Sequence, residues 1–116
     1  MAIMLENVSA GVERYMNLLS ARQKLTAANI ANVDTPGYKT KDIDFQSELA
    51  SQMSGLGPSA VEVQGLKAKN DGNNVDMDRE ARMLAENALR FAVASNLARS
   101  DLSTIKMAIE EGGKTS

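Results

Sequence analysis

Residues 84–109 read LAENALRFAVASNLARSDLSTIKMAI. Taking Leu84, Ala88, Phe91, Ser95, Ala98, Leu102, Ile105 and Ile109 in turn, the steps alternate between four and three to the end. Such steps return to one side of an α-helix, and their alternation is the heptad seam of a helix packed lengthwise on another. No glycine or proline interrupts the stretch. Ala85, Leu89 and Ala92 widen the apolar face, and the alanines at 81, 85, 88, 92, 94 and 98 keep the helix slim. Asp76 is placed to cap its start, with Asp78 and Glu80 in the first turn, where the helix dipole favours negative charge. The helix is expected to end at Glu111, before Gly112-Gly113, after about 50 Å.

The partner for this seam is expected at residues 5–32. Leu5, Val8, Val12, Tyr15 and Leu19 form one helical stripe, and Leu18, Ala21, Leu25 and Ala28 form a second. Two stripes suit either two neighbours or one broad buried face. Gly11 weakens a helix interior by roughly 1 kcal/mol relative to alanine. The helix must stop near Asn32, because Asp34-Thr35-Pro36-Gly37 follows. Proline lacks an amide donor and drives Thr35 out of the helical region. Pro-Gly is the favoured centre of a type II turn, with glycine supplying positive φ. Asn29 and Asn32, three apart, can share a side, either as solvated capping groups or as a buried or interfacial amide pair.

Between the helices lies a connector at 33–75. Ile43, Phe45 and Leu49 suggest a short helix to about Met53, capped by Asp42 or Asp44. Residues 54–59, Ser-Gly-Leu-Gly-Pro-Ser, break it. Ala60 to Val63 alternates like a short strand, with 75–77 as its candidate partner and Asn70-Asp71-Gly72-Asn73-Asn74 as a turn between them. The fold class is therefore mainly α. Two long terminal helices form a coiled-coil-like hairpin, and the irregular connector has room for a short helix and a short β segment. The whole of 1–116 reads as a single domain, with its helices at about 5–32 and 76–111.

Composition narrows the function. The chain has no histidine and no cysteine, so the usual general base, metal ligand and thiol nucleophile are all missing. A net charge of −2 provides no electrostatic footprint for nucleic acid. No apolar run is long enough to span a bilayer. Met1 to Glu6 has no basic n-region and does not read as a cleaved secretory signal. Only 3% of residues are aromatic, few for a compact core but suited to slim helices packed side by side. The pairs Asp42/Asp44 and Asp76/Asp78 have the spacing of magnesium ligands, yet both sit where helices begin and capping is the simpler reading. Asp71-Gly72-Asn73-Asn74 lacks the ligand spacing of an EF-hand. Tyr38, Lys39 and Lys41 make a small basic-aromatic group that reads as solvated loop charge. No catalytic, metal or cofactor set remains.

Two motifs carry a resemblance. Ala28-Asn29-Ile30-Ala31-Asn32-Val33-Asp34-Thr35-Pro36-Gly37-Tyr38 resembles the signature of the flagellar axial proteins, which include rod and hook subunits. Its continuation through Lys39-Thr40-Lys41-Asp42-Ile43-Asp44-Phe45 is similar to the proximal rod members of that family. So are residues 71–80 and 85–91, which open the C-terminal helix. The chain departs from the pattern at Val33, where a small residue is commoner, and in its short middle region.

The resemblance implies a structural subunit that is exported unfolded through the flagellar type III apparatus and polymerises through its terminal helices into the basal-body rod in the periplasmic space. It implies torque transmission, an α-helical tube lining the export channel, and no enzymatic activity. The implied partners are the chain itself, other rod proteins, and the inner-membrane ring, rod-adaptor and export-gate proteins, with no nucleic acid, no cofactor and no direct membrane insertion. The expected motif and turn residues are Asn29, Asn32, Asp34, Thr35, Pro36, Gly37 and Tyr38. The expected assembly residues are Leu18, Leu25, Leu84, Phe91, Leu102, Ile105 and Ile109. The alternative reading is a soluble helical adaptor that binds a single partner helix.

Overall fold

A computed structural model describes residues 2–50 and 58–114, with side chains placed for 8–50 and 58–112. The elements in order are α1 (Ala2–Ala31), β1 (Lys41–Ile43), α2 (Phe45–Ala50), β2 (Ala60–Glu62) and α3 (Met77–Lys114). α1 and α3 pack lengthwise and antiparallel, giving a body 72 × 26 × 18 Å. The hairpin has a closed end, where the connector folds against the helices, and an open end where α1 begins and α3 finishes.

The helix ends follow local chemistry. α1 closes through Asn32, whose amide donates to the Ala28 carbonyl at 3.0 Å and whose side chain donates to the same oxygen at 2.8 Å. The chain then turns over Pro36-Gly37. Tyr38 N donates to Thr35 O at 3.2 Å and Gly37 has φ 74°, the geometry of a type II turn. α3 starts at its cap, Asp76, whose Oδ1 accepts the amides of Asp78 at 3.0 Å and Arg79 at 3.3 Å. It continues past Glu111 to Lys114, because Gly112 does not adopt the left-handed conformation that would end it.

Two expectations for the connector need correction. β2 pairs antiparallel with β1, Lys41 opposite Glu62, Asp42 opposite Val61 and Ile43 opposite Ala60. Residues 75–77 form no strand: Val75 is buried, and Met77 is already the first residue of α3. Of the two candidate caps for α2, Asp44 holds the place. Its carboxylate accepts the amide and hydroxyl of Ser47. Asp42 faces inward instead. Met53 and most of the 54–59 breaker lie outside the described residues.

The core is small and largely polar. Among the described residues Leu18, Leu19, Ile43, Val75 and Ala94 are its buried apolar members, against Thr26, Asn29, Thr40, Asp42, Asn73, Asn74, Glu80 and Asn87. Buried polar groups must find partners or incur a desolvation penalty. Those partners explain how the connector is held.

Candidate assembly interface

The closed end is an interlock of the two motif segments. Asn29, fully buried on α1, makes four hydrogen bonds. Its Nδ2 donates to Lys41 O at 2.8 Å and to Glu80 Oε2 at 3.2 Å, and its Oδ1 accepts from the Tyr38 hydroxyl at 3.0 Å and Lys41 N at 3.1 Å. That is the full capacity of a side-chain amide. Asn73, also fully buried, repeats the pattern from the other segment. Its Nδ2 donates to Asn32 O and Thr35 O, both at 2.8 Å, and its Oδ1 accepts Val75 N at 2.9 Å. Asn74 Oδ1 accepts Thr40 N at 2.6 Å, and Gly37 N donates to Asp71 O at 2.9 Å. Lys39 and Lys69 donate to the Gly72 and Val33 carbonyls.

Beside this interlock runs a chain of charges. Asp42 accepts from Arg22 of α1 at 2.9 Å and from Arg79 of α3 at 2.8 Å, and Arg79 also reaches Glu80 at 2.8 Å. One carboxylate in the connector thus ties both long helices. The Arg22 guanidinium lies 4.9 Å from the centre of the Phe45 ring, and that ring meets Tyr15 edge-on at 5.4 Å, fixing α2 to α1. Burial, reinforced by the Glu80 carboxylate, raises the Tyr38 hydroxyl above its ordinary value.

The motif residues therefore divide. Asn29 is a buried hub. Asn32 is half-buried and caps α1, while its Oδ1 accepts the Thr35 hydroxyl at 3.0 Å. Thr35, Pro36 and Gly37 form the turn, Tyr38 points back to Asn29, and Asp34 is exposed. Asp42, Asn73, Glu80, Arg22 and Arg79 went unrecognised in the sequence reading. The signal for Asn73 is its position in the family-like motif 71–80, whose first residues by themselves read as a turn.

The seam of α3 is rotated from the one read above. The positions turned toward α1 are Glu80, Leu84, Asn87, Phe91, Ala94, Ala98, Asp101 and Ile105, again alternating four and three, with Phe91 at the rim and still 40% exposed. Glu80, Asn87 and Ala94 are buried, whereas Ala88, Leu102 and Ile109 are exposed. The two patterns share Leu84, Phe91, Ala98 and Ile105. Their alternate members differ because the inner positions carry polar groups satisfied across the seam. Asn87 Nδ2, for example, donates to Leu19 O at 2.9 Å and to Gln23 Oε1 at 3.0 Å.

Of the expected assembly residues, Leu18 is buried within the chain itself. Leu25, Leu84 and Ile105 are half-buried. Phe91, Leu102 and Ile109 are exposed, by 40, 68 and 70%. They follow one edge of α3. On that edge Leu102 and Ile105 join Val12 and Met16 around an open groove of about 380 Å³, bordered by Glu13 and Asp101. The other edge carries exposed Val93 and Leu97, which with Val8, Val12 and Tyr15 line a second groove of about 410 Å³. Both edges of the helix pair are thus apolar. Among the described residues no cluster of His, Cys, Asp and Glu could hold a metal ion, and no helix is long and apolar enough to cross a membrane.

Comparison with known proteins points to one kind of assembly. The family model described as "Flagella basal body rod protein" matches residues 15–39, from Tyr15 through the Pro36-Gly37 turn. The flagellar basal body rod protein FlgB of Escherichia coli (strain K12) is 35% identical over 119 residues, covering 78% of this chain and 86% of its own length. FlgB of Salmonella typhimurium is 33% identical over 138 residues, covering 95% and 99%. FlgB of Borrelia hermsii is 31% identical over 123 residues, covering 84% and 91%.

Proposed function

The chain belongs to the FlgB family of flagellar basal-body rod proteins and is a structural subunit, not an enzyme; from this we propose that it joins the proximal rod through the exposed edges of its helix pair. The observation that carries this reading is the apolar character of both edges. A monomer has no use for Phe91, Leu102 and Ile109 on one side and Val93 and Leu97 on the other. A helical polymer, in which each hairpin has a neighbour on either side, covers both. An adaptor for a single partner helix would cover one groove and leave the other wet.

In this reading the two ends divide the work. The interlocked closed end holds the connector rigidly to both helices, so torque passes through the subunit without bending it. The open-end helices pack with those of neighbouring subunits to wall the export channel. The subunit reaches the periplasmic space through the flagellar export apparatus without a cleaved signal. There it meets other copies, other rod proteins, and the inner-membrane ring, rod-adaptor and export-gate proteins. Nucleic acid and direct insertion into the membrane play no part.

The test is Leu102→Asp in a strain lacking the native copy. Full burial of such a side chain contributes about 1.5–3 kcal/mol, and burying an unpaired charge in its place costs more. The variant should be made at normal level, be missing from purified basal bodies, and leave the cells non-motile. Normal motility of Leu102→Asp and Ile105→Asp strains would overturn the assignment of this edge.

A further inference from the structure

We propose that the link between Asp71 and Gly72 is a site of isoaspartate formation, which the closed-end interlock suppresses and which, once it has occurred, prevents the interlock from forming. Asp71-Gly72 is the one Asp-Gly step in the sequence, and there is no Asn-Gly step. Glycine has no Cβ to shield its amide, so an aspartate before it is open to attack by its own backbone. The Gly72 nitrogen attacks Asp71 Cγ. The new N–Cγ bond closes a succinimide ring, and the carboxyl hydroxyl leaves with the amide proton as water. A water molecule then opens the ring. Where it adds at the original backbone carbonyl, the bond from that carbon to the Gly72 nitrogen breaks. The main chain now runs through Cβ and Cγ, and the old carbonyl carbon carries a free carboxylate. Water lost in the first step is regained in the second, and no oxidant or cofactor takes part.

The folded chain blocks the first step by conformation. Asp71 is exposed, so burial does not protect it. Gly72 N donates to Lys69 O at 2.9 Å, which occupies the attacking atom. That bond closes a turn over Asn70 and Asp71, neither of which has positive φ, so the turn is type I with Asp71 at its third position. A type I turn holds that position at ψ about 0°, whereas ring closure needs the Gly72 nitrogen swung round toward Cγ. Asp71 Oδ1 accepts Asn73 N at 3.0 Å, which directs the carboxylate past the Gly72 nitrogen. The turn is tied in turn to the first motif segment. Gly37 N donates to Asp71 O at 2.9 Å, and Lys39 Nζ donates to Gly72 O.

The product cannot rebuild these contacts. Isoaspartate lengthens the main chain by a methylene immediately before Gly72 and Asn73. Asn73 Nδ2 must reach Asn32 O and Thr35 O, both at 2.8 Å, and hydrogen bonds weaken steeply with such a displacement. The carbonyl that accepts Gly37 N is also gone from the main chain. A chain that waits unfolded therefore loses its capacity to form the closed end. This time limit on the exported state rests on the export reading above, whereas the chemistry of the link does not.

The test incubates the purified full chain at neutral pH, once in buffer and once in guanidinium chloride. An isoaspartyl carboxyl methyltransferase with S-adenosylmethionine labels the isomerised residue, and tandem mass spectrometry locates the label. It should accumulate at residue 71 in denaturant at least about tenfold faster than in buffer, where the rate follows how often the turn opens. Asp71→Glu should lose the label in denaturant, because its longer side chain closes the ring far more slowly. After removal of denaturant, the isomerised fraction should unfold at lower urea than fresh protein. Repeated methylation and hydrolysis, which returns isoaspartate to aspartate, should restore the fresh midpoint. Equal rates in buffer and denaturant overturn the proposal. So does denatured protein that gains no label at residue 71, or isomerised protein with the midpoint of the fresh chain. These measurements use purified protein, whereas export and rod assembly are read in cells and basal bodies, so the two can fail separately.

Discussion

Asn29 on α1 and Glu80 on α3 stand 51 residues apart in sequence, yet the Asn29 amide donates to the Glu80 carboxylate at 3.2 Å with both side chains fully buried. The contact joins the two family-like segments directly. Each segment supplies one fully buried asparagine: Asn29 binds the backbone after the turn, and Asn73 binds the backbone before it. Neither segment could keep its shape without the other, because each holds carbonyls or amides that the other satisfies. In a small core with few apolar members, this reciprocity specifies the closed end.

Replacing Asn29 should therefore be among the most destabilising changes in the chain. Asn29→Leu removes the side-chain partner of the Tyr38 hydroxyl, the Lys41 amide, the Lys41 carbonyl and one Glu80 oxygen. Each buried orphan costs about 1–3 kcal/mol, so the total should exceed roughly 3 kcal/mol. Asn32→Ala, which removes a cap at a half-buried position, should cost nearer 1 kcal/mol. Urea unfolding of the two variants should show this order. Equal losses would mean that the hub carries no special weight.

How much of this was legible beforehand follows from the chemistry of the residues. The helices were readable because apolar spacing and the Pro36-Gly37 stop are local signals. The heptad register was only half readable. Leu84, Phe91, Ala98 and Ile105 belong to both the expected and the observed seam, but a hydrophobic pattern cannot select Glu80 and Asn87 as inward positions. Those become tolerable only when Asn29 or Leu19 O lies opposite, and that is tertiary information. Asp42 was misread for a related reason. Its neighbour Asp44 does cap α2, and nothing local indicates that Arg22 and Arg79 converge on Asp42 from two different helices. The β1–β2 pairing was missed because strands of three residues carry little pattern.

Tyr38 should give the fold a dependence on alkaline pH. Its folded pKa is raised, first by burial and then by Glu80. The unfolded chain releases the proton near the ordinary value of about 10. Between those two values the folded state holds more protons than the unfolded one, so stability falls as pH rises. The contribution is intact below about pH 10 and is lost as pH climbs through the folded value. Deprotonation also removes the donor to Asn29 Oδ1. Tyr38→Phe should be less stable at neutral pH yet show a shallower decline above pH 10. Parallel curves for the two proteins would contradict this account.

Asn87 should trade stability for register. Its Nδ2 reaches Leu19 O and Gln23 Oε1, but its Oδ1 is buried without a partner. Asn87→Leu removes that orphan and adds apolar contact, so the unfolding midpoint should hold or rise, within about 1 kcal/mol. A single polar residue on a seam fixes helix alignment, and without it α3 can slide against α1. Distances between spin labels on the two helices should broaden in the variant while those within α3 stay sharp. A narrow inter-helix distribution would show that the closed-end interlock sets register alone.

Gly37 isolates backbone strain from crowding. Its φ is 74°, and a Cβ built there would meet nothing within 4 Å. Any penalty for a side chain must then come from the left-handed backbone, since space is open. Proline at 36 already sets the first corner of the turn, and Gly37 N is held by Asp71 O, so the chain cannot easily relax into another turn type. A β-branched residue resists positive φ more than asparagine does. Gly37→Val should cost roughly 1–3 kcal/mol, and Gly37→Asn clearly less. The strain would loosen the contact between the two motif segments, so the bond from Gly37 N to Asp71 should be the first lost. Amide exchange at Gly37 should accelerate more in the valine variant than in the asparagine one, with the unfolding midpoints in the same order. If asparagine proves the worse of the two, crowding and not φ governs this site, and the type II turn is not what holds the interlock together.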